Sequence, residues 1–395
     1  MTKSIVFLMC TSGIGGEVIT YMRMAEWLHK NTDYKIYCAD IPSGASLTYI
    51  KKYNYDYIQI IPLNVSTDTD GKLHKIEDTK FPDDSMIFTN GFYLWKSDIL
   101  KHIIADNIRF LFYFVEPRTY TDVLLQKSWL KKIREKIKLK SILKLANSSK
   151  SLVFQDYPNF RNVANFCPQI DKRYLPIPIY HKPVRQNWKF STHDIRLCYI
   201  GRNCATKNRT LYFFVEQLSK YIQQKNQTSI TLYIVSDICK EDRIYIKLRQ
   251  RFPKIKIVLK STLYEDKLEK FLQEEVDIVL GMGVSCLDAT RLGIPAISAP
   301  ASTRKIPFST KVGTISDFNE YTLGGYLNED NCFQNGKLFF DLLDDICQNY
   351  NNYAAENYKF SKKNFNIEHV MPKFLQYANE TSFEYKDIGN CYGTY

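Results

Sequence analysis

The chain has no apolar run approaching the roughly 18 to 20 residues that a transmembrane helix needs, so no transmembrane helix is expected. It also lacks any Cys-x-x-Cys pair: its 10 cysteines stand singly, and none groups with the 6 histidines at zinc-ligand spacing. They read as reduced, small hydrophobes. No short-period repeat and no low-complexity tract is present. The opening "MTKSIVFLMCTSGIGG" offers no small-residue cleavage site after its apolar run, so it reads as a first strand and not as a signal peptide. A cytoplasmic location is the expectation.

What is present is a chain of 395 residues, about the size of two domains of ordinary length. Hydrophobic residues make up 45% and charged residues 24%, the balance of a folded globular protein. The formal charge of +12 asks for an acidic partner: nucleic acid, an anionic membrane face or a phosphorylated small molecule. No zinc-finger, aromatic RNA-binding or helix-turn-helix signature accompanies it, so no specific nucleic-acid partner is expected.

Apolar runs of strand length alternate with helical patterns. "KSIVFLMC" leads through "TSGIGGEV" into a helical pattern and then to "DYKIYCAD", a β-α-β opening that favours a parallel sheet covered by helices. Further runs follow at "YIQIIPL", "SMIFTN", "RFLFYFV" and "SLVFQD". "YLPIPIYHKPV", with Pro176, Pro178 and Pro183, interrupts the alternation, which then restarts. The expected fold is α/β, with two Rossmann-like domains facing across a cleft: residues 1–180, residues 190–355, a C-terminal helix at 356–380 returning to the first domain, and a tail at 381–395. The helical pattern from Ala354 to Asn379 reads as one stretch containing Pro372.

The most informative stretch is "DIVLGMGVSCLDATRLGIPAI", Asp277 to Ile297. Gly281 and Gly283 permit a sharp turn close to a ligand, and Ser285 stands where an N-cap belongs. The N–H groups of Ser285, Cys286 and Leu287 would then favour a phosphate, with Asp288 one turn further in to accept from ribose hydroxyls. A capped helix after a glycine turn explains the same residues without a ligand. In "CYIGRNCATKN", Gly201, Arg202 and Lys207 follow the first strand of the second half, where two cations can converge on a diphosphate. "TSGIGGEV" fails the dinucleotide fingerprint, since Val18 stands where its third glycine belongs, but Gly15 and Gly16 can still bring N–H groups to a phosphate.

These motifs, Gly15-Gly16, "YIGR" with Lys207, and "GMGVSCLDATRLGIPAI", make the chain resemble the GT-B glycosyltransferases of the large group-one family, which build bacterial polysaccharides and lipopolysaccharides. The resemblance spans roughly Lys3 to Gln376. It implies that Arg202 and Lys207 bind the diphosphate of a nucleotide-sugar donor and that Asp288 holds the ribose. It further implies a glycan or lipid-linked glycan acceptor, with no metal and no cofactor beyond the donor. The chain departs from the pattern twice: many family members carry Glu at the position of Asp288, and Leu280 stands where a second Glu contacts the donor sugar. Retention of anomeric configuration therefore does not follow.

An inverting reaction needs a general base. Glu116, after the run "RFLFYFV", is the first candidate and Asp156 the second. Asp68 and Asp70 in "STDTDGK" form an Asp-x-Asp that reads as a solvated turn; its calcium-loop start fails at Thr79. "QKSWLKKIREKIKLKSILK" reads as a basic amphipathic helix suited either to packing on the sheet or to peripheral contact with an anionic membrane. Competing readings of the whole are a nucleotide-sugar epimerase of the same architecture, a basic nucleic-acid-binding protein and a non-catalytic scaffold.

Overall fold

The computed structural model describes residues 3–10, 13–67, 73–95, 99–116, 129–184, 188–225, 228–327, 333–384 and 386–387. The chain divides into two compact units: Met1–Pro178 together with Ile367–Tyr395, and Ile179–Asn366.

The first unit is built on six parallel strands: β1 (Ser4–Leu8), β2 (Lys35–Asp40), β3 (Ile58–Pro62), β4 (Ser85–Asn90), β5 (Arg109–Phe114) and β6 (Leu152–Phe154). Their spatial order is β6-β5-β4-β1-β2-β3, all pairs parallel. Strands covered on both faces read as unbroken apolar runs, and "SIVFL" of β1 is buried at all five positions. The crossovers β1-β2 and β2-β3 run through α1 (Gly16–Asn31) and α2 (Ala45–Tyr53). α3 (Trp129–Ser148) and α4 (Tyr157–Ala164) flank β6. Leu139, Ile142, Leu143 and Ala146 of α3 enter a core shared with Phe110, Phe112 and Phe154.

Ile367–Glu380 forms a helix of this first unit, with Phe374 edge-on to Phe88 of β4 and the Trp27 indole donating to Glu368 at 3.0 Å. The helical pattern Ala354–Asn379 is in fact two helices, Tyr350–Phe365 and Ile367–Glu380. The break falls at Asn366 and not at Pro372, because the Asn366 backbone turns extended and bridges to Ile179, while Pro372 lies inside the second helix. Beyond it Thr381 donates to the Phe110 carbonyl and Phe383 is fully buried edge-on to Phe110 and Phe112, a packing that the weak periodicity of the tail does not signal.

The second unit repeats the plan. Its elements are β7 (Asp194–Ile200), α5 (Ala205–Gln224), β8 (Ser229–Val235), α6 (Arg243–Arg251), β9 (Lys256–Lys260), α7 (Glu265–Glu275), β10 (Ile278–Gly281), α8 (Val284–Thr290), β11 (Ala296–Ser298) and β12 (Gly313–Thr314). The order is β9-β8-β7-β10-β11-β12, parallel except for the edge strand β12.

Both sheets therefore reverse direction beside their first strand, between β1 and β4 in one unit and between β7 and β10 in the other. At such a switch point the two following loops run to opposite faces and leave a crevice at the carboxyl ends of the strands, where open α/β sheets bind ligands.

Candidate functional site

In the second unit the two loops singled out by sequence are the ones that leave this switch point. Gly201 and Arg202 follow β7, and Gly283 to Asp288 follow β10, whose residues Ile278, Val279 and Leu280 pair with Leu197, Cys198 and Tyr199. A Cβ on Gly281 would come within 2.8 Å of Ser285 Oγ and 3.6 Å of the Ile200 carbonyl oxygen, so the loops touch there. Lys207, in the first turn of α5, is near enough to Cys286 that its charge opposes the rise that burial imposes on the thiol pKa, to about 12. Arg202, Lys207, Ser285 and Cys286 are thus brought to one end of the β7/β10 pair.

Arg202 is exposed and takes no ion pair among the described residues. The loop carrying it is pinned from below: the Asn203 N–H donates to Asp237, the Asn203 amide donates to Asp242 at 3.3 Å, and Asn208 donates to Asn203 at 2.8 Å. Tyr199 OH donates to the Lys207 carbonyl at 2.7 Å, fixing the start of α5 to β7. Half-buried Tyr264, which caps α7 after β9, feels both neighbours: burial raises its phenol pKa first, Asp237 raises it further and Arg202 opposes them. Asp237 and Tyr264 were not singled out by sequence, and only their places just after strand runs could have signalled them.

The expected cap at Ser285 is corrected. The N-cap is Gly283, at φ 65° and ψ −132°, a conformation that a side chain resists, so the helix starts two residues earlier than a Ser cap would set it. Ser285 lies inside α8 and donates its hydroxyl back to the Met282 carbonyl at 2.9 Å. The Cys286 and Leu287 N–H groups already bond the Gly283 carbonyl, at 3.1 and 3.4 Å, so they are not open donors. The Ser285 N–H takes no partner among the described residues. The Gly283 N–H bonds the Leu323 carbonyl at 3.1 Å, and Gly324 at φ 135° approaches Met282 and Ser298 from above.

Asp288 is only 4% exposed. Its carboxylate lies 3.5 Å from Arg291 Nε, while Nη2 of that guanidinium meets Glu269 at 3.2 Å and Nη1 donates to the Tyr180 carbonyl at 3.3 Å. Arg291 was overlooked, although its i+3 spacing from Asp288 was readable. Leu280 is fully buried in the core of this unit, so no acid reaches the loop from that position. Asp277, at the start of the motif, is structural: it is fully buried and accepts from the Trp188 indole at 2.9 Å and from the Arg196 backbone N–H at 2.7 Å.

In the first unit Gly15 is the N-cap of α1, the helix that follows β1, and Gly16 is its first residue. The Asn90 amide, at the end of β4, donates to Glu17 at 3.1 Å, so this switch point too is spanned by a side-chain contact. Glu116 is exposed two residues beyond β5. Asp156 is the N-cap of α4, 5% exposed, accepting from the Asn159 N–H at 3.1 Å and the Asn159 amide at 2.6 Å. A carboxylate so engaged is a helix cap and a poor base. Asp68 and Asp70 lie outside the described residues. A surface cavity of about 840 Å³ opens between α5, α6 and residues 303–306, but neither Arg202, Lys207 nor the 281–288 loop lines it.

No family model and no curated protein sequence matches the chain. Solved structures do resemble it. S. aureus TarM, in complex with Fondaparinux, alpha-GlcNAc-glycerol and UDP, superposes with a TM-score of 0.59 at 11% identity, covering 96% of this chain and 100% of that one. A glycosyltransferase from Rickettsia africae gives 0.56 at 13% identity over 98% of each chain. WaaG, a glycosyltransferase involved in lipopolysaccharide biosynthesis, gives 0.52 at 11%, covering 96% and 99%. Likeness at such identities establishes architecture, and the chain has the GT-B fold of two Rossmann-like domains that its motifs led one to expect.

Proposed function

We propose that the chain is a glycosyltransferase that moves a sugar from a nucleoside-diphosphate donor to a glycan or lipid-linked glycan acceptor in bacterial surface polysaccharide biosynthesis. The observation that supports this reading is the β7/β10 switch point, where Lys207 lies near Cys286 of the Gly281–Asp288 loop and Arg202 follows β7 in the loop before α5. A diphosphate is the ligand that cations in the loop leaving a switch point and a close backbone approach suit best.

In this reading the bond between the anomeric carbon and the diphosphate oxygen breaks, and Arg202 and Lys207 stabilise the charge that develops on the leaving group. Asp288, held in place by Arg291, takes the ribose hydroxyls. Glu116 is the proposed base that removes the acceptor proton in an inverting transfer. Support by analogy comes from S. aureus TarM bound to UDP and from the pneumococcal O-GlcNAc transferase GtfA bound to UDP and GlcNAc, both of this architecture.

The test is a thermal-shift panel with UDP, GDP, CMP, ADP and NAD on the wild type and on Asp288→Ala, because a ligand that binds only the native state raises Tm. One nucleoside diphosphate stabilising the wild type but not the variant is the expected result. Stabilisation by none of them, or by NAD alone, overturns the reading.

A further inference from the structure

The cavity of about 840 Å³ in the second unit, between α5, α6 and residues 303–306, is lined by five cations, Arg209, Arg243, Lys247, Arg251 and Lys305, and one acid, Glu216. The whole chain, by contrast, holds 54 Lys and Arg against 42 Asp and Glu. Glu216 is already engaged, meeting Arg251 at 3.1 Å and Lys305 at 3.7 Å. Arg209, Arg243 and Lys247 are exposed and take no hydrogen bond or ion pair among the described residues. The fold gains nothing from this placement. Arg243, Lys247 and Arg251 stand four apart on one face of α6, where like charges repel. Arg243 is also the first residue of that helix, where the macrodipole disfavours a cation. No acid stands in the first turn, and Asp242 before it accepts from the Cys239 N–H at 2.7 Å and the Asn203 amide at 3.3 Å, not from the helix.

We propose that this cavity is a binding site for a small organic molecule carrying two or more phosphate groups. Several phosphate oxygens answer the unpaired cations, and the guanidinium forks of Arg209 and Arg243 match phosphate geometry. The floor suits more than a bare phosphate. Tyr212 and Ile244 are half-buried there beside Phe213 and Ile306, each 2% exposed, and this apolar patch favours a ring or sugar body that loses water on it. A volume of this order is that of a small-molecule site. The cationic field is too short to track a nucleic-acid strand: Glu241 and Asp242 precede α6, Phe252 follows Arg251, and the next cation along α5, Lys220, lies over the Phe308 ring at 3.8 Å. Arg202, Lys207 and the 281–288 loop do not line the cavity, so the assignment does not rest on the enzymatic reading.

The experiment is isothermal titration calorimetry of the full chain at about 0.1 M salt, where surface charge is only partly screened, with ATP, fructose bisphosphate and inorganic tripolyphosphate as probes. It is run on the wild type, on Arg209→Gln/Arg243→Gln/Lys247→Gln, on Tyr212→Ala and on Arg202→Ala, with melting curves confirming that each variant folds. An organic probe is expected to bind the wild type and Arg202→Ala alike and the triple variant about tenfold or more weakly. Whether ATP or fructose bisphosphate binds the tighter tells a planar body from a sugar. The preferred probe should bind more tightly than tripolyphosphate, and Tyr212→Ala should erase that advantage while leaving tripolyphosphate unchanged. No binding by either organic probe, binding that survives the triple variant, or binding lost in Arg202→Ala overturns the proposal. So does tripolyphosphate binding as tightly as both organic probes, or a random single-stranded oligonucleotide that displaces them and binds more tightly. No readout depends on turnover, so failure here and failure of the enzymatic reading are told apart.

Discussion

The Asp288 carboxylate stands 3.5 Å from the guanidinium of Arg291, the residue that caps the same short helix three positions on, and both side chains are 6% exposed. Their relationship is asymmetric. Arg291 keeps Glu269 and the Tyr180 carbonyl if Asp288 is removed, whereas removing Arg291 takes the cation away from two carboxylates, Asp288 and Glu269. Arg291→Ala is therefore expected to cost about 3–4 kcal/mol, as when a buried ion pair is broken from one side. Asp288→Ala should cost about 1–2 kcal/mol. Urea unfolding of the two variants checks the order; Asp288→Ala proving the more damaging would mean that this pair does not organise the helix.

Arg202 offers the opposite case. It is exposed, and its loop is held by Asn203, Asp237 and Asp242 without help from its own side chain. Arg202→Ala should leave Tm unchanged and lower turnover about a hundredfold, the usual loss when one preorganised partner of a developing charge is removed. Donor-turnover assays beside melting curves test this, and near-normal turnover would remove Arg202 from the site.

Leu280 occupies the position at which the resembling family places a sugar-contacting acid. Its side chain is fully buried beside Tyr199 and Ile297 in the sheet. Leu280→Glu would thrust a carboxylate into that core, so the variant should lose about 4 kcal/mol or more and gain no activity. Recovery of a well-folded, faster enzyme would show that the position can turn toward the loop.

The strands were legible because sheets covered on both faces leave unbroken apolar runs, as "SIVFL" and "IVLG" do. Their order was not, since nothing local in "IRLCYIG" announces that β10 rather than β9 lies beside it. Ser285 looked like a cap because capping propensity is a side-chain signal, while the real start of α8 depends on a backbone angle at Gly283. The break at Asn366 depends on a bridge to Ile179, 187 positions away by subtraction of the two numbers, and no window of sequence contains it. Arg202 and Lys207 were candidates because loops after strands are where α/β sheets bind ligands. Asp237 and Tyr264, in equivalent loops, sit in stretches with no glycine to mark them.

The buried thiols set an alkaline limit on stability. Cys38 and Cys286 are fully buried, and burial, which disfavours the thiolate, pushes both from the ordinary 9.0 to about 12; at Cys38 a hydrogen bond with Ser46, and at Cys286 the Lys207 charge, only partly oppose it. A folded pKa raised above the unfolded value means that the native state holds its proton longer. Below pH 9 the thiols are protonated in both states and contribute no pH dependence. Between pH 9 and 12 the unfolded chain releases protons that the native chain keeps, so stability falls as pH rises, by up to about 1.4 kcal/mol per pH unit for each thiol. Burial raises the phenols of Tyr21 and Tyr113 in the same direction. Urea midpoints should be level from pH 7 to 8.5 and decline steeply from pH 9.5 to 10.5, less steeply in Cys286→Ala. Over the same range a thiol reagent should modify exposed Cys204 and Cys239 at once, and Cys38 and Cys286 only as the protein unfolds. Rapid labelling of Cys286 in the folded protein at pH 8 would show that the 281–288 loop opens to solvent, and the alkaline decline would then need another source.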